Sequence, residues 1–176
     1  MTVHWVDYIN SLYNPPMTLH LLTQSTFKIK TAELALAETD IQVQPLALDI
    51  PEIQAEDNRT IARHSALRAA EELGHAVARE DHGFFLDAFP GWPGPYMAYA
   101  EAQLPPEAVM QLLEGRTRTG YFQMAFAYAE PDGSVWERCA RVPARIAETP
   151  RQDAGDFGWD PIIQLEQHDD VLGTYP

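Results

Sequence analysis

Cysteine is almost missing from this chain: Cys139 stands alone among 176 residues. One thiol excludes an internal disulfide and any zinc site built from cysteines, and it suits a reducing compartment, so a cytoplasmic location is expected. Long apolar runs are missing too. None approaches the roughly 18 residues that cross a bilayer, so no membrane association is expected. The opening Met1-Thr2-Val3-His4-Trp5-Val6-Asp7 has neither the basic start nor the apolar stretch of a secretory signal. Basic residues are scarce, with 12 Lys and Arg against 26 Asp and Glu and a net charge of −14. A surface this acidic repels polyanions, which argues against a nucleic-acid polymer as partner. It leaves room for a small phosphorylated ligand if a divalent metal held by carboxylates reverses the local sign, so an anionic ligand and a metal are expected together. Walker, Gly-x-Gly-x-x-Gly, Gly-x-Ser-x-Gly and His-Glu-x-x-His patterns are all absent.

The chain has enough apolar residues, 45% against 22% charged, to build one ordinary globular core. Residues 1–17 read as an irregular extension broken by Asn14-Pro15-Pro16, and 18–176 as a single domain. Thr18 to Leu22 predicts a strand, Ser25 to Glu38 a helix and Ile41 to Leu48 a second strand. Asp49 to Asp57, with Pro51 and its acids, predicts a loop. A helix capped by Asn58 should run to Leu73 and end at Gly74. Two strands, His75 to Arg79 and Phe84 to Phe89, are expected on either side of the polar knot Glu80-Asp81-His82-Gly83. Pro90 to Pro95 should turn rigidly, a helix should open at Pro105-Pro106 and run through Leu113, and Tyr121 to Glu130 with Val135 to Val142 should form a hairpin. Strands alternating with helices, then a hairpin, suggest a mixed-sheet α/β domain.

Polar clusters fall where strands meet loops, the usual place for sites in such folds. Thr23-Gln24-Ser25-Thr26-Phe27-Lys28 supplies hydroxyls, helix-start N–H groups and a lysine: either a phosphate cradle, or a Ser25 cap with a solvated Lys28. Asp49 to Gln54 and Glu80-Asp81 supply the oxygens that Mg²⁺ takes, or else are solvated acids. His82 invites a metal-ligand or general-base reading but is more simply a hydrogen-bond partner. Asp156-Phe157-Gly158-Trp159-Asp160-Pro161 offers aromatics to stack on a heterocycle and an acid to meet its edge, or core aromatics at a turn.

In order, these clusters resemble the inosine triphosphate pyrophosphatase family over about Leu19 to Gln164. Thr23 to Lys28 is similar to its Thr-x-Asn-x-x-Lys loop, Asp49 to Gln54 to Asp-Leu-Pro-Glu-x-Gln, and Glu80 to Ala88 to Glu-Asp-Thr-Gly-Leu…Asp-Ala. Gly91 to Tyr96 is similar to Gly-x-Pro-Gly-Pro-Tyr, and Phe157 to Pro161 matches Phe-Gly-Trp/Tyr-Asp-Pro. The resemblance implies an elongated mixed sheet with flanking helices, two lobes around a central cleft, and a homodimer. It implies Mg²⁺-dependent hydrolysis of a nucleoside triphosphate to the monophosphate and pyrophosphate. Glu52 and Asp81 would hold Mg²⁺; Asp81, supported by Glu80, would orient or deprotonate water. Thr23, Ser25 and Lys28 would contact the triphosphate, with Lys28 offsetting charge on the leaving group. Phe157 and Trp159 would line the base pocket and Asp160 would meet the base edge. Three departures imply altered or relaxed base preference and fewer phosphate contacts. Ser25 replaces the loop asparagine, Ala62-Arg63-His64-Ser65-Ala66 lacks the family's helix lysine, and Gly173-Thr174-Tyr175-Pro176 stands where a lysine and a Ser-His-Arg motif are expected. The alternatives are a nucleotide-binding or scaffold homologue without turnover, or a pyrophosphatase for a modified nucleotide.

Overall fold

The apolar run after Pro16 forms a strand, and Met17 opens it: β1 spans Met17–Leu22. The computed structural model describes residues 17–155 and 157–175, so the rest of the predicted irregular extension lies outside the described residues. From β1 the chain enters helix α1 (Thr26–Ala35) and returns in β2 (Ile41–Leu46), parallel to β1 from Met17↔Ile41 to Leu22↔Leu46. Both elements stop short of the predicted limits. Ser25 and Leu36 cap α1, and none of its residues is buried. The acidic stretch from Asp49 to Asp57 forms neither helix nor strand, as expected.

Helix α2 (Asn58–Leu73) keeps both predicted limits and ends on Gly74, whose φ of 70° is the left-handed conformation that glycine adopts without a Cβ clash. Its cap is Asp57, not the expected Asn58: the Asp57 side chain accepts from the Arg59 N–H at 3.1 Å. Asn58 is instead fully buried.

The polar knot does not split the next strand. β3 runs unbroken over Val77–Leu86, because β5 (Thr119–Ala129) pairs with it antiparallel at every position from Val77↔Ala129 to Leu86↔Gly120. Backbone pairing continues beneath polar side chains, of which Arg79, Glu80 and His82 find polar partners of their own. Gly83 lets β4 (Pro93–Gly94) close on β3, since a Cβ there would lie 2.3 Å from the Gly94 carbonyl oxygen. Helix α3 (Met97–Gln103), which was not predicted, precedes α4 (Pro106–Leu112). β5 turns into β6 (Val135–Ile146), longer than predicted, and β7 (Ile163–Leu165) pairs with its end.

The strand order is β2-β1-β3-β5-β6-β7, with β4 beside β3, a mixed α/β sheet. Two apolar cores lie along it. One sets Ala62, Ala66, Ala69 and Ala70 of α2 against Leu22, Val77, Ala125, Ala127 and Ala129; such small side chains let the helix lie close on the sheet. The other gathers Phe84, Leu86, Met97, Val109, Leu113, Ile146, Trp159, Ile162 and Ile163. β3 threads both, buried at Val77–Ala78 and again at Gly83–Leu86, with Arg79 to His82 half-buried between them.

Candidate active site

The site forms where β1 leaves β3. Among the described residues their parallel pairing is confined to Leu21↔Ala78, and β4 reaches the strand again at Phe84. β1 turns toward α1 and β2 on one side while β3 lies on the other, the topological switch point at which α/β sheets place ligands. Lys28, in the first turn of α1, fills this gap. Its Nζ donates to the Glu80 carbonyl oxygen at 3.0 Å and meets Glu80 Oε2 at 2.7 Å. With only 15% of its side chain exposed, Lys28 is not the solvated lysine of the alternative reading.

Ser25 does cap α1, accepting from the Lys28 N–H at 3.4 Å, and Thr23 Oγ1 accepts from the Ser25 N–H at 3.1 Å. These are acceptor contacts only. Each hydroxyl keeps its own O–H as a donor, so capping and phosphate binding are compatible.

Alternation along β3 sends Glu80 and His82 to one face and Arg79 and Asp81 to the other. His82 Nδ1 donates to Glu80 Oε1 at 3.2 Å. Burial works against the Glu80 anion, but the His82 hydrogen bond and the Lys28 ammonium together hold its carboxyl below the ordinary value. Asp81 goes the other way. Burial, with repulsion from Glu52 and Glu80 and against the pull of Lys28 and Arg79, pushes its carboxyl up to about 6. Asp81 Oδ2 is buried with no hydrogen-bond partner.

Glu52 is half-exposed and bound by Arg79, whose Nη2 donates to Glu52 Oε2 at 2.9 Å while Nη1 donates to the Leu22 carbonyl oxygen at 3.1 Å. Among the described residues no three His, Cys, Asp or Glu form a ready cation cage. The donor set still fits Mg²⁺, which uses one or two protein carboxylates and otherwise water and phosphate oxygens. The orphaned oxygen of Asp81 is the observation that supports this fit.

Sequence reasoning missed the polar network that holds Asp81's strand. Asn58 Nδ2 donates to the Asp81 and Gln123 carbonyl oxygens, both at 2.9 Å, and Gln123 Nε2 donates to Asn58 Oδ1 at 2.6 Å and Asp57 Oδ1 at 2.8 Å. Arg141 Nε donates to Gln123 Oε1 at 2.8 Å. A capping role is the local expectation for Asn58, and nothing in its neighbours distinguishes a capping asparagine from one turned inward.

At the aromatic turn the two expected base-pocket residues separate. Phe157 is 75% exposed, whereas Trp159 is fully buried in the core, its indole N–H donating to the Leu104 carbonyl oxygen at 2.8 Å. Trp159 therefore offers no face to a ligand in this arrangement, which corrects the expectation for it. Asp160 is half-buried, and burial raises its carboxyl above the ordinary value.

Among known proteins, the model of the Ham1 family matches residues 19–175. The chain belongs to the Ham1 family. This Ham1 chain is 38% identical over 157 residues to the dITP/XTP pyrophosphatase of Methanopyrus kandleri, covering 89% of this chain and 83% of that protein. It is 34% identical over 134 residues to inosine triphosphate pyrophosphatase 2 of Trypanosoma cruzi, covering 76% and 68% respectively. Its fold matches that of a HAM1 protein from Coxiella burnetii with a TM-score of 0.77 over 91% of this chain and 87% of that one, at 21% identity. The motif resemblance and the mixed-sheet expectation both hold for this Ham1 chain.

Proposed function

We propose that this Ham1 protein hydrolyses a nucleoside triphosphate to the monophosphate and pyrophosphate, in a Mg²⁺-dependent reaction. The carrying observation is the opposed behaviour of two neighbouring carboxyls. Glu80 is held as an anion by Lys28 and His82, while Asp81 titrates near 6 with one oxygen free. Environments that push paired acids apart assign their roles. Asp81, whose buried Oδ2 has no hydrogen-bond partner, has an acceptor to offer the attacking water.

The triphosphate is read as lying across the start of α1, with Thr23 and Ser25 donating their hydroxyl hydrogens and Lys28 facing the bridging oxygens. Water attacks the α phosphorus, its proton passes to Asp81, and the bond to the β-phosphate oxygen breaks. Lys28 stabilises the charge that gathers on the departing pyrophosphate. Glu52 and Asp81 would hold Mg²⁺, whose contribution is to neutralise phosphate charge. Phe157 and Asp160 form the base side, with the Asp160 carboxyl as an acceptor for the base edge, and an altered or relaxed base preference is part of this reading. Following the family resemblance, the chain is read as a cytoplasmic homodimer, which analytical ultracentrifugation and localisation of a tagged chain test. Among the described residues no helix is long and apolar enough to cross a membrane.

The deciding experiment assays pyrophosphate release from a panel of NTPs and dNTPs, with Mg²⁺ and with chelator, for wild type and Asp81→Asn. Metal-dependent release by wild type alone supports the reading. Tight nucleotide binding without release makes the protein a binding homologue instead.

A further inference from the structure

Glu101, on the short helix α3, lies outside every motif picked out in the sequence, yet it touches the aromatic turn directly. Its Oε1 accepts from the Trp159 backbone N–H at 3.1 Å. The same helix end holds the Trp159 indole through the Leu104 carbonyl oxygen at 2.8 Å, so one residue of the turn is fastened at both its backbone and its ring. Gly158 is fitted to this contact. A Cβ there would lie 2.6 Å from Glu101 Oε1 and 2.8 Å from its carboxyl carbon, and the residue's φ is +51°. The turn closes on itself through the Asp160 N–H, which donates to the Phe157 carbonyl oxygen at 3.1 Å. Phe157 thus sits, three-quarters exposed, on a turn whose other residues are pinned.

A carboxylate is an expensive choice for this fastening. Burial raises the Glu101 carboxyl, the Trp159 hydrogen bond lowers it, Asp160 repels it, and His82 attracts it from the β3 side. Any neutral acceptor would serve packing equally well. An acid tolerated here, against the glycine that follows an exposed aromatic, points to the ligand side of the turn rather than to the core.

We infer that Glu101 is a positioning residue for nucleobase binding: it fixes the Phe157–Asp160 turn so that the Phe157 ring can stack on the base and the Asp160 carboxyl can meet its edge. This rests on the triphosphate reading above and deepens it. Freed from Glu101, the turn loses its alignment, and the cost falls on binding of the base and not on the bond-breaking step.

The test compares wild type, Glu101→Ala, Glu101→Asp and Glu101→Gln. It measures KM and kcat on the best nucleoside triphosphate, calorimetric Kd for its non-hydrolysable analogue, and the same quantities with base-free ribose 5-triphosphate. Losing one backbone hydrogen bond should raise KM and Kd about five- to tenfold in Glu101→Ala, with kcat within about twofold. Glu101→Asp, one methylene short of Trp159, should show the same rise in KM and Kd, and it carries the test where the alanine variant fails to fold. Glu101→Gln, which keeps an acceptor oxygen, should restore wild-type KM, and ribose 5-triphosphate should show no difference among the variants. Unchanged KM in both shortened variants overturns the inference while leaving the hydrolase reading intact, as does an equal loss with the base-free probe. A wild type that neither binds nor cleaves any nucleotide overturns both.

Discussion

Replacing Asp81 with asparagine should make the protein more stable while disabling it. In the fold its carboxyl is pushed from 3.8 to about 6, by burial first and then by Glu52 and Glu80, against Lys28 and Arg79. The protonated form therefore favours the folded state. That contribution is fully present below pH 3.8 and is lost as pH rises through about 6. At about 1.4 kcal/mol per pH unit, the interval amounts to about 3 kcal/mol at most, and access of water to a half-buried group reduces it to about 1–3 kcal/mol. Asparagine keeps the shape and carries no charge at any pH. Glu101 and Asp160 also titrate upward, but they do so in both proteins and cancel in the difference. Urea unfolding of wild type and Asp81→Asn, followed by circular dichroism between pH 4 and 8 with chelator present, should show curves that coincide near pH 4. They should separate by about 1–3 kcal/mol above pH 6.5, with the variant more stable. Pyrophosphate release by the variant should fall by about 100-fold or more. A variant less stable than wild type at pH 7, or a margin that does not change with pH, would refute the claim that Asp81 is a strained, under-compensated anion.

Other outcomes follow from the same geometry. Lys28→Met strips the ammonium from both the carboxylate and the carbonyl oxygen of Glu80, and should cost about 1–3 kcal/mol in urea unfolding and about 100-fold in pyrophosphate release. Asn58→Leu leaves the Asp81 and Gln123 carbonyl oxygens without their donor. It should cost about 2–5 kcal/mol by denaturation and lower kcat more than it weakens nucleotide binding in calorimetry. Trp159→Ala empties a core position and should cost about 3–5 kcal/mol, whereas exposed Phe157→Ala should stay within about 0.5 kcal/mol of wild type. The same Phe157 variant should weaken nucleotide binding by about tenfold or more, as loss of a stacking partner does.

The elements most legible in the sequence were those whose signals are local. Helix α2 announced itself through its alanines and Gly74, and β1, β2 and the β5–β6 hairpin through their apolar runs. The break predicted inside β3 was a misreading with a clear physical origin. Four polar residues in a row resemble a loop when judged one by one, and only the facing strand shows that their backbones are paired, while Lys28 meets the Glu80 carboxylate, Glu52 meets Arg79 and Asn58 holds the Asp81 backbone carbonyl. The motifs single out Thr23, Ser25, Lys28, Glu52, Glu80 and Asp81 as candidates, but they could not reveal that Lys28 meets Glu80 across 52 positions, or that Arg79 holds Glu52. At the aromatic turn, sequence offered core or pocket for both rings. The fold divides them, sending Trp159 inward by giving its indole a carbonyl and leaving Phe157 outside.

The stretch of β3 between its contacts with β1 and β4 has a further consequence. An unclaimed strand border ordinarily invites a second molecule to add itself there. Here the Lys28 ammonium occupies that border by donating to the Glu80 carbonyl oxygen, so the backbone acceptor a second molecule would need is already taken. The Leu22 carbonyl oxygen, next along the β1–β3 seam, is likewise taken by a side chain, the Arg79 guanidinium at 3.1 Å. The seam thus ends in two cationic side chains rather than in free backbone groups, and a further strand finds no acceptor there.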